Sequence, residues 1–347
     1  MSDYTAILRV VPELFETLRY RARIMERIAI LQPIGRRGLA ADMQVTERVL
    51  RAELDFLRSQ GFVHSTAGGV FLTQEGVRVM SELEPVLAAV EGRQALALQV
   101  SRRLGIENVV VVSGDSDCDS WVKDSLGFRA AEWIQKLLVA GDVLAVSGGS
   151  TLATVAARMP VATPRIPVQV VPARGGLGEG LATQANTVAA HVAEKLGGTS
   201  VMFHVPDRLT EESQTQLLAD PFVQERLRLI QSATIVVHGI GEARTMAERR
   251  QTATPDLAIL AETGAVGEAF GYYFDDEGRI AHKIANVGLH LADVQTMRCV
   301  IAVAGGRKKS QAIAAAARGY RIDVLITDEG AARSILGRTS SKEMDGR

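Results

Sequence analysis

Three apolar runs in this chain end in paired glycines: Val143-Leu-Ala-Val-Ser-Gly-Gly-Ser-Thr151, Val168-Gln-Val-Val-Pro-Ala-Arg-Gly-Gly-Leu-Gly178 and Val300-Ile-Ala-Val-Ala-Gly-Gly-Arg-Lys-Lys309. Glycine lets backbone N–H groups approach an anion, and a helix beginning just beyond adds partial positive charge. Each pair carries further chemistry. Gly149 precedes the hydroxyls of Ser150 and Thr151, Arg174 precedes Gly175 and Gly176, and Gly306 precedes Arg307, Lys308 and Lys309. A single such loop is weak, because glycine at a strand–helix turn often only relieves crowding. Three together, with hydroxyls and cations, point to a phosphorylated small molecule and can cradle more than one phosphate. Two more segments belong with them. Val237-His-Gly-Ile-Gly-Glu-Ala243 leads into a helix ending at Arg249 and Arg250, and Glu268 lies among small residues in Ala265-Val-Gly-Glu-Ala-Phe-Gly271. Such a carboxylate can accept hydrogen bonds from sugar hydroxyls, and it reads equally well as a structural acid.

These loops need a scaffold that brings them to one place. Short β-branched runs at Val109–Ser113, Val143–Ser147, Val168–Val171, Val201–Val205, Thr234–His238, Val300–Ala304 and Val324–Thr327 alternate with helical stretches. Near-continuous apolar strands separated by helices predict a parallel sheet covered on both faces, whose strand C-termini share one edge. Asp276-Glu-Gly278 marks a hairpin inserted into this α/β pattern.

The first ninety residues have a different texture. Apolar residues at Leu14, Leu18, Ile24, Ile28 and Leu31 form a helical stripe, which Pro33 and Gly35 end. Ile34 to Met43 reads as a short helix and Gln44-Val45 as a turn. Thr46 caps a longer helix ending at Gln60-Gly61, with Val49, Leu50, Leu54 and Leu57 expected on its inner face. A two-stranded wing follows, Phe62-Val63-His64 and Val70–Thr73 about the turn at Thr66–Gly69. A helical pattern then runs from Glu75 to about Leu104, with a kink expected at Pro85. This is the pattern of a winged helix-turn-helix, a DNA reader. The chain's net charge is −1, yet Arg19 to Arg58 holds nine arginines against five acids, and no lysine occurs before Lys123. A basic module on an acidic body fits phosphate contact at one end. The residues expected at DNA are Arg36 and Arg37, Thr46 and Glu47 at the start of the longer helix, and Arg48 and Arg51 on its outer face, which enters the major groove.

Other classes fit poorly. The N-terminus lacks the basic start and apolar core of a signal peptide, and no apolar run has the ~18 residues of a membrane span. Two cysteines, Cys118 and Cys299, make no disulfide framework. The expectation is a reduced, cytoplasmic protein without a membrane partner. The six histidines (64, 191, 204, 238, 282, 290) show no i, i+4 metal pair, and His238 is placed nearest to a ligand. Asp115-Ser-Asp-Cys-Asp119 imitates a calcium loop without its glycine and distal glutamate, so it reads as a solvated turn and helix cap. No metal and no cofactor are expected.

Motifs run along most of the chain: Glu26 to Val63, including Glu47-Arg-Val-Leu-Arg51; Val112-Ser-Gly-Asp-Ser-Asp117; Pro172 to Glu179; Gln184-Ala-Asn-Thr187; His238-Gly-Ile-Gly-Glu-Ala243; Glu268-Ala-Phe-Gly-Tyr-Tyr-Phe274; and Thr327-Asp-Glu-Gly-Ala331. In this combination the chain resembles bacterial transcriptional repressors of the SorC/DeoR type. The resemblance implies a winged helix-turn-helix domain over residues 1–89. A Rossmann-like effector domain with the fold of sugar-phosphate isomerases follows at 90–338, and a disordered tail at 339–347. It implies repression of a glycolytic operon beginning with glyceraldehyde-3-phosphate dehydrogenase, with fructose-1,6-bisphosphate as the effector that releases operator DNA. Matched effector positions are Gly149, Ser150, Thr151, Arg174, Gly175, Gly176, Gln184, Arg249, Glu268 and Lys309. By the same analogy Ser150, Thr151 and Lys309 hold one phosphate, Arg174 and Arg249 the other, and Glu268 the sugar hydroxyls. Ser150 replaces a second threonine, Gln32 replaces an acid, and Lys308 competes with Lys309 for the phosphate. A homo-oligomer, dimer or tetramer, is expected because such proteins read repeated half-sites. The competing readings are a sugar-phosphate isomerase or deaminase, which lacks an evident base-and-histidine motif, and a metabolite-binding scaffold. The enzyme reading leaves the arginine-bearing helix without a purpose and ranks below the repressor, and the scaffold, whose N-terminal helices would only mediate assembly, ranks last.

Overall fold

The computed structural model describes residues 10–175, 180–205, 211–249, 254–284 and 287–337. The chain divides into two compact units, Met1–Ala95 and Leu96–Arg347. The first contains α1 (Pro12–Leu31), α2 (Arg36–Asp42), α3 (Glu47–Ser59), β1 (Val63–Thr66), β2 (Gly69–Leu72) and α4 (Gln74–Val90). Its core joins Ile24 and Ile28 of α1, Leu39 of α2, Leu50, Leu54 and Leu57 of α3, and Val63 and Val70 of the wing. The i, i+4, i+7 spacing in α3 puts three leucines on one stripe. The Thr46 hydroxyl caps that helix by accepting from the Val49 N–H at 3.4 Å. Val49 departs from the expectation: it is 49% exposed, one step off the stripe. Arg27 is 1% exposed and donates twice to Asp42, at 2.7 Å each. Removing Asp42, which is partly exposed, would strip the buried Arg27 guanidinium of two hydrogen bonds, a loss of about 3–5 kcal/mol.

The helical stretch after the wing is two helices rather than one kinked at Pro85. Pro85 lies inside α4, and the break falls at Gly92, whose φ is +75°. Proline removes one ladder donor, whereas a left-handed glycine ends a helix outright. A second helix, α5 (Arg93–Leu104), leads into the second unit.

That unit is built on β3 (Asn108–Val112), α6 (Ser120–Leu137), β4 (Val143–Val146), α7 (Ser150–Arg158), β5 (Gln169–Pro172), α8 (Ala185–Leu196), β6 (Thr199–Ser200), α9 (Glu211–Ala219), α10 (Pro221–Gln231) and β7 (Ile235–Gly239). It continues with β8 (Gly241–Glu242), α11 (Ala243–Arg249), α12 (Thr254–Glu262), β9 (Ala265–Ala269), β10 (Tyr272–Asp275), β11 (Ile280–Lys283) and α13 (Leu291–Thr296). β12 (Cys299–Val303), α14 (Ser310–Gly319), β13 (Val324–Asp328) and α15 (Glu329–Gly337) complete it. Seven strands form a parallel sheet in the order β3-β13-β12-β7-β4-β5-β6. Apolar cores cover both faces, which is why its strands lack polar alternation.

One expected strand is displaced. Strand pairing ends at Thr199–Ser200 with one last bond from the Val201 N–H to the Val170 carbonyl at 3.0 Å, and the chain beyond Val201 leaves the sheet. The Asn186 side chain takes both backbone groups of Phe203 instead, accepting from its N–H at 2.8 Å and donating to its carbonyl at 3.0 Å. The hairpin at 276–278 joins β10 to β11, and these belong to a second, antiparallel sheet, β11-β10-β9-β8. Gly267 lets this small sheet approach Ala312 of α14, since a Cβ there would lie 3.0 Å from Ala312 Cα.

Candidate functional site

The C-terminal ends of β4, β5 and β7 and the loop after β12 meet the start of β8 and the end of β9 around a solvent-open cleft. Its lining includes Gly149, Ser150, Thr151, Arg174, Arg249, Glu268 and Lys309, seven of the ten effector positions named from the sequence. Of the other three, Gly175 is buried beside the cleft with its N–H on the Val287 carbonyl at 3.1 Å. Gln184 is the N-cap residue of α8 and does not line the cleft. Gly176 lies outside the described residues, as do Arg250 and the tail at 339–347.

Each wall has a local reason. After β4, Gly148 is pressed against the 183–185 segment, where a Cβ would meet the Thr183 carbonyl at 2.7 Å. Gly149, at φ +104°, caps α7 without any side-chain cap, so the first turn of that helix opens with Ser150 and Thr151 and no carboxylate on its N–H groups. Arg174 extends from the end of β5, is 8% exposed, and is fixed by a bridge to Gly288. Arg249 comes from the last turn of α11 and Glu268 from β9. Glu268 is 4% exposed, and its Oε1 accepts from the Gly271 N–H at 2.7 Å. Phe270 turns the chain with a left-handed φ of +55°, rare for a bulky residue.

Lys309 rather than Lys308 belongs to the cleft. Lys309 is half-buried on the lining, while Lys308 is exposed. Burial first, then Arg249 and Lys123, push the Lys309 ammonium below its ordinary pKa. An anion nearby would relieve that strain. The third glycine pair works differently from the expectation. The N–H of Gly306 donates to Asp328 Oδ2 at 2.7 Å, that of Arg307 to Asp115 Oδ1 at 3.4 Å, and that of Lys308 to Asp117 Oδ2 at 2.8 Å. These amides serve the protein's own carboxylates, so the loop offers the cleft a side chain and not its backbone. The Asp115–Asp119 run is correspondingly more than a solvated turn, and Asp119, next to α6, makes no side-chain cap. Cys118, within the same run, is exposed, whereas Cys299 is buried.

His238 is also on the lining, packed against Phe270 and Tyr320 at ring-centroid distances of 4.6 and 5.7 Å. Burial lowers its pKa to about 4, so it is neutral near pH 7, and its Nδ1 lies 3.0 Å from the Gly239 carbonyl. Burial and the Glu268 charge raise the Tyr320 phenol well above its usual value. The arrangement suits binding of a hydroxylated anion: cations, hydroxyls and a helix start gather on the wall, with one carboxylate among them. Sequence reasoning did not select Ser147, Ile240, Met246 or Phe270 for the lining. Their only signal was adjacency to the glycine motifs, because the three apolar residues have no chemical signature of their own and the Ser147 hydroxyl serves the neighbouring backbone.

In the first unit Arg36, Arg37, Thr46, Glu47, Arg48 and Arg51 are all exposed. Arg37 lies 3.3 Å from Glu47. Several neighbouring arginines serve the fold instead. Arg27 pairs with Asp42, Arg21 with Glu53 at 2.7 Å, and Arg58 with Asp55 and the wing residue Ser65, both at 2.9 Å. Among the described residues, no ion pair engages Arg36, Arg48 or Arg51, so these three keep their charge available. No helix of the described residues is long and apolar enough to cross a membrane.

Residues 17–87 match the family described as "CggR N-terminal DNA binding domain", and residues 88–337 match "Putative sugar-binding domain". The molecule is therefore a transcriptional regulator, a DNA-binding domain joined to a sugar-binding α/β domain. It is 44% identical to the central glycolytic genes regulator of Priestia megaterium (strain DSM 319 / IMG 1521), over 94% of this chain and 96% of the relative. Identity to the regulator of the same name from Bacillus subtilis (strain 168) is 42% over the same shares. The chain belongs to the family of central glycolytic genes regulators. Among solved structures, a SorC family transcriptional regulator from Enterococcus faecalis is 40% identical, with a TM-score of 0.66 over 70% of this chain and 99% of that one. The full-length sorbitol operon regulator SorC from Klebsiella pneumoniae shares the fold at 19% identity, with a TM-score of 0.68 over 90% of this chain and 98% of that one. These relatives are regulators, and this chain is one of them rather than an enzyme.

Proposed function

We propose that the protein represses a glycolytic operon beginning with glyceraldehyde-3-phosphate dehydrogenase and leaves its operator when fructose-1,6-bisphosphate fills the cleft. One observation carries the effector: Arg174, Arg249 and Lys309 reach a single cleft from three separate elements, joined by Ser150 and Thr151 at the uncapped start of α7. One phosphate has three oxygens to offer, and this donor set exceeds it. Glu268 supplies an acceptor for sugar hydroxyls between them. On this reading Ser150, Thr151 and Lys309 take one phosphate and Arg174 with Arg249 the other. The effector is a regulatory ligand and not a cofactor.

The output is the α3 face. Arg48 and Arg51 enter the major groove, supported by Arg36, Arg37, Thr46 and Glu47, and a homo-oligomer in the cytoplasm engages repeated half-sites. Operator and bisphosphate favour different subunit arrangements, so each weakens the other's binding by linkage. The test is a gel shift on the upstream glycolytic promoter at fixed salt, titrated with fructose-1,6-bisphosphate or with fructose monophosphates. Release by the bisphosphate alone is expected. Equal release by a monophosphate, or none by either, overturns the effector. Full operator affinity in Arg48→Ala and Arg51→Ala variants overturns the recognition helix.

A further inference from the structure

The Asp115–Asp117 run has no part in the reading above, yet it grips the loop that carries Lys309. Asp328, fully buried at the end of β13, forms the base of this grip: its Oδ2 accepts from Ser116 at 2.9 Å and Gly306 at 2.7 Å, and its Oδ1 from Ala331 at 2.8 Å. One carboxylate thus ties two loops together. Asp115 then shapes a tight turn, its Oδ1 accepting from the Asp117 N–H at 3.0 Å, and so presents Asp117 to the neighbouring loop. The Asp117 carboxylate closes the arrangement on the Lys308 N–H at 2.8 Å. Glycine is needed for this approach, because a Cβ on Gly306 would lie 2.7 Å from Asp117 Oδ1. The following turn (Arg307–Lys309) is short, and the Lys309 N–H returns to the Gly306 carbonyl at 3.0 Å. Of its three basic residues only Lys309 reaches the cleft, while Arg307 and Lys308 are exposed.

We propose that Asp117 is a positioning residue for the effector anion: its carboxylate clamps the 305–309 loop so that Lys309 is aimed into the cleft. The inference rests on the cleft being the effector site. Asp117 is itself exposed, and the buried Asp328 secures the fold, so the clamp can be loosened without unfolding the domain. The carboxylate has two opposed effects. Its hydrogen bond orders the loop, while its negative charge lies near the place an anion must occupy.

Substitution separates these effects. Asp117→Ala removes both, and Asp117→Asn keeps an acceptor for Lys308 while removing the charge. The full chain and both variants are titrated with fructose-1,6-bisphosphate by calorimetry, with operator affinity and thermal midpoint measured alongside. The alanine variant is expected to bind the bisphosphate about tenfold to a hundredfold more weakly, the range of a charge-assisted hydrogen bond. The asparagine variant is expected to equal or exceed the parent chain, and effector-free operator affinity to stay constant. Parent-like binding by the alanine variant overturns the inference alone. Tighter binding by both variants also overturns it, making the carboxylate a competitor for the anion. Absence of bisphosphate binding to the parent chain removes the effector reading and this inference with it.

Discussion

Gly148-Gly149 and Gly305-Gly306 sit at strand ends on the same sheet edge and look alike in sequence, yet they admit different anions. The first pair yields to backbone: Gly148 lies against the 183–185 segment, and Gly149 opens α7 with no side-chain cap. The second is filled from within. A Cβ on Gly305 would strike the Asp328 carboxylate, and one on Gly306 the Asp117 carboxylate at 2.7–2.9 Å. A glycine pair at a strand end therefore signals a close approach, while the acids folded opposite decide whether the anion is the protein's own or a ligand's. The first loop offers its helix start and two hydroxyls, and the second offers one aimed lysine.

The sharpest way to break this contrast is at its buried base. Asp328→Ala leaves three interior N–H groups without their acceptor and should cost about 4 kcal/mol or more. Urea unfolding measures it, and a loss below about 1 kcal/mol would show that the second loop does not depend on internal carboxylates. Next comes His238, on the strand β7 that pairs with both β4 and β12. Its folded pKa of about 4 is below the unfolded value near 6.5. The unfolded chain thus binds the proton first as pH falls. Stability is complete above about 6.5 and declines by about 3 kcal/mol by pH 4. His238→Phe should flatten that decline between pH 4 and 6.5, and an unchanged slope would assign it to other groups.

A smaller effect distinguishes the pairs directly. Gly305→Ala places a methyl against Asp328 and, at 2.6 Å, Leu126, and should destabilise by about 2–3 kcal/mol. Gly149→Ala meets nothing within 4 Å but must hold φ +104° with ψ 162°, a region kept almost wholly by glycine, at a penalty of about 1–3 kcal/mol. Equal losses in denaturant would erase the distinction. Smallest in energy is Thr151→Ala. Roughly tenfold weaker bisphosphate binding is expected, about 1.4 kcal/mol, with the unfolding midpoint unmoved. A shifted midpoint with unchanged binding would place this hydroxyl in the fold and not in the site.

Much of this was legible because it depends on local rules. The leucine stripe of α3, the Thr46 cap and six of the seven sheet strands follow from periodicity and capping. Glycines and cations at strand ends located most of the cleft. Long-range competition was not legible. Nothing near Val201–Val205 announces that the Asn186 side chain will claim Phe203. The pairing of Asp117 with Lys308 spans 191 residues and that of Asp328 with Ser116 spans 212, so the acids that fill the second glycine pair could not be read beside it. Nor could a count of charges say which arginines stay on the surface, since Arg27 is buried against Asp42 in the core.

The Asp115–Asp119 turn has a practical use that follows from its thiol. Cys118 is exposed there, whereas Cys299 is buried and its thiol is pushed up to about 11 by that burial. Near neutral pH a maleimide dye will label the first and spare the second. The native chain thus carries a single attachment point one residue from Asp117, and a fluorophore placed there can serve as an optical readout of the lysine loop without any engineered cysteine.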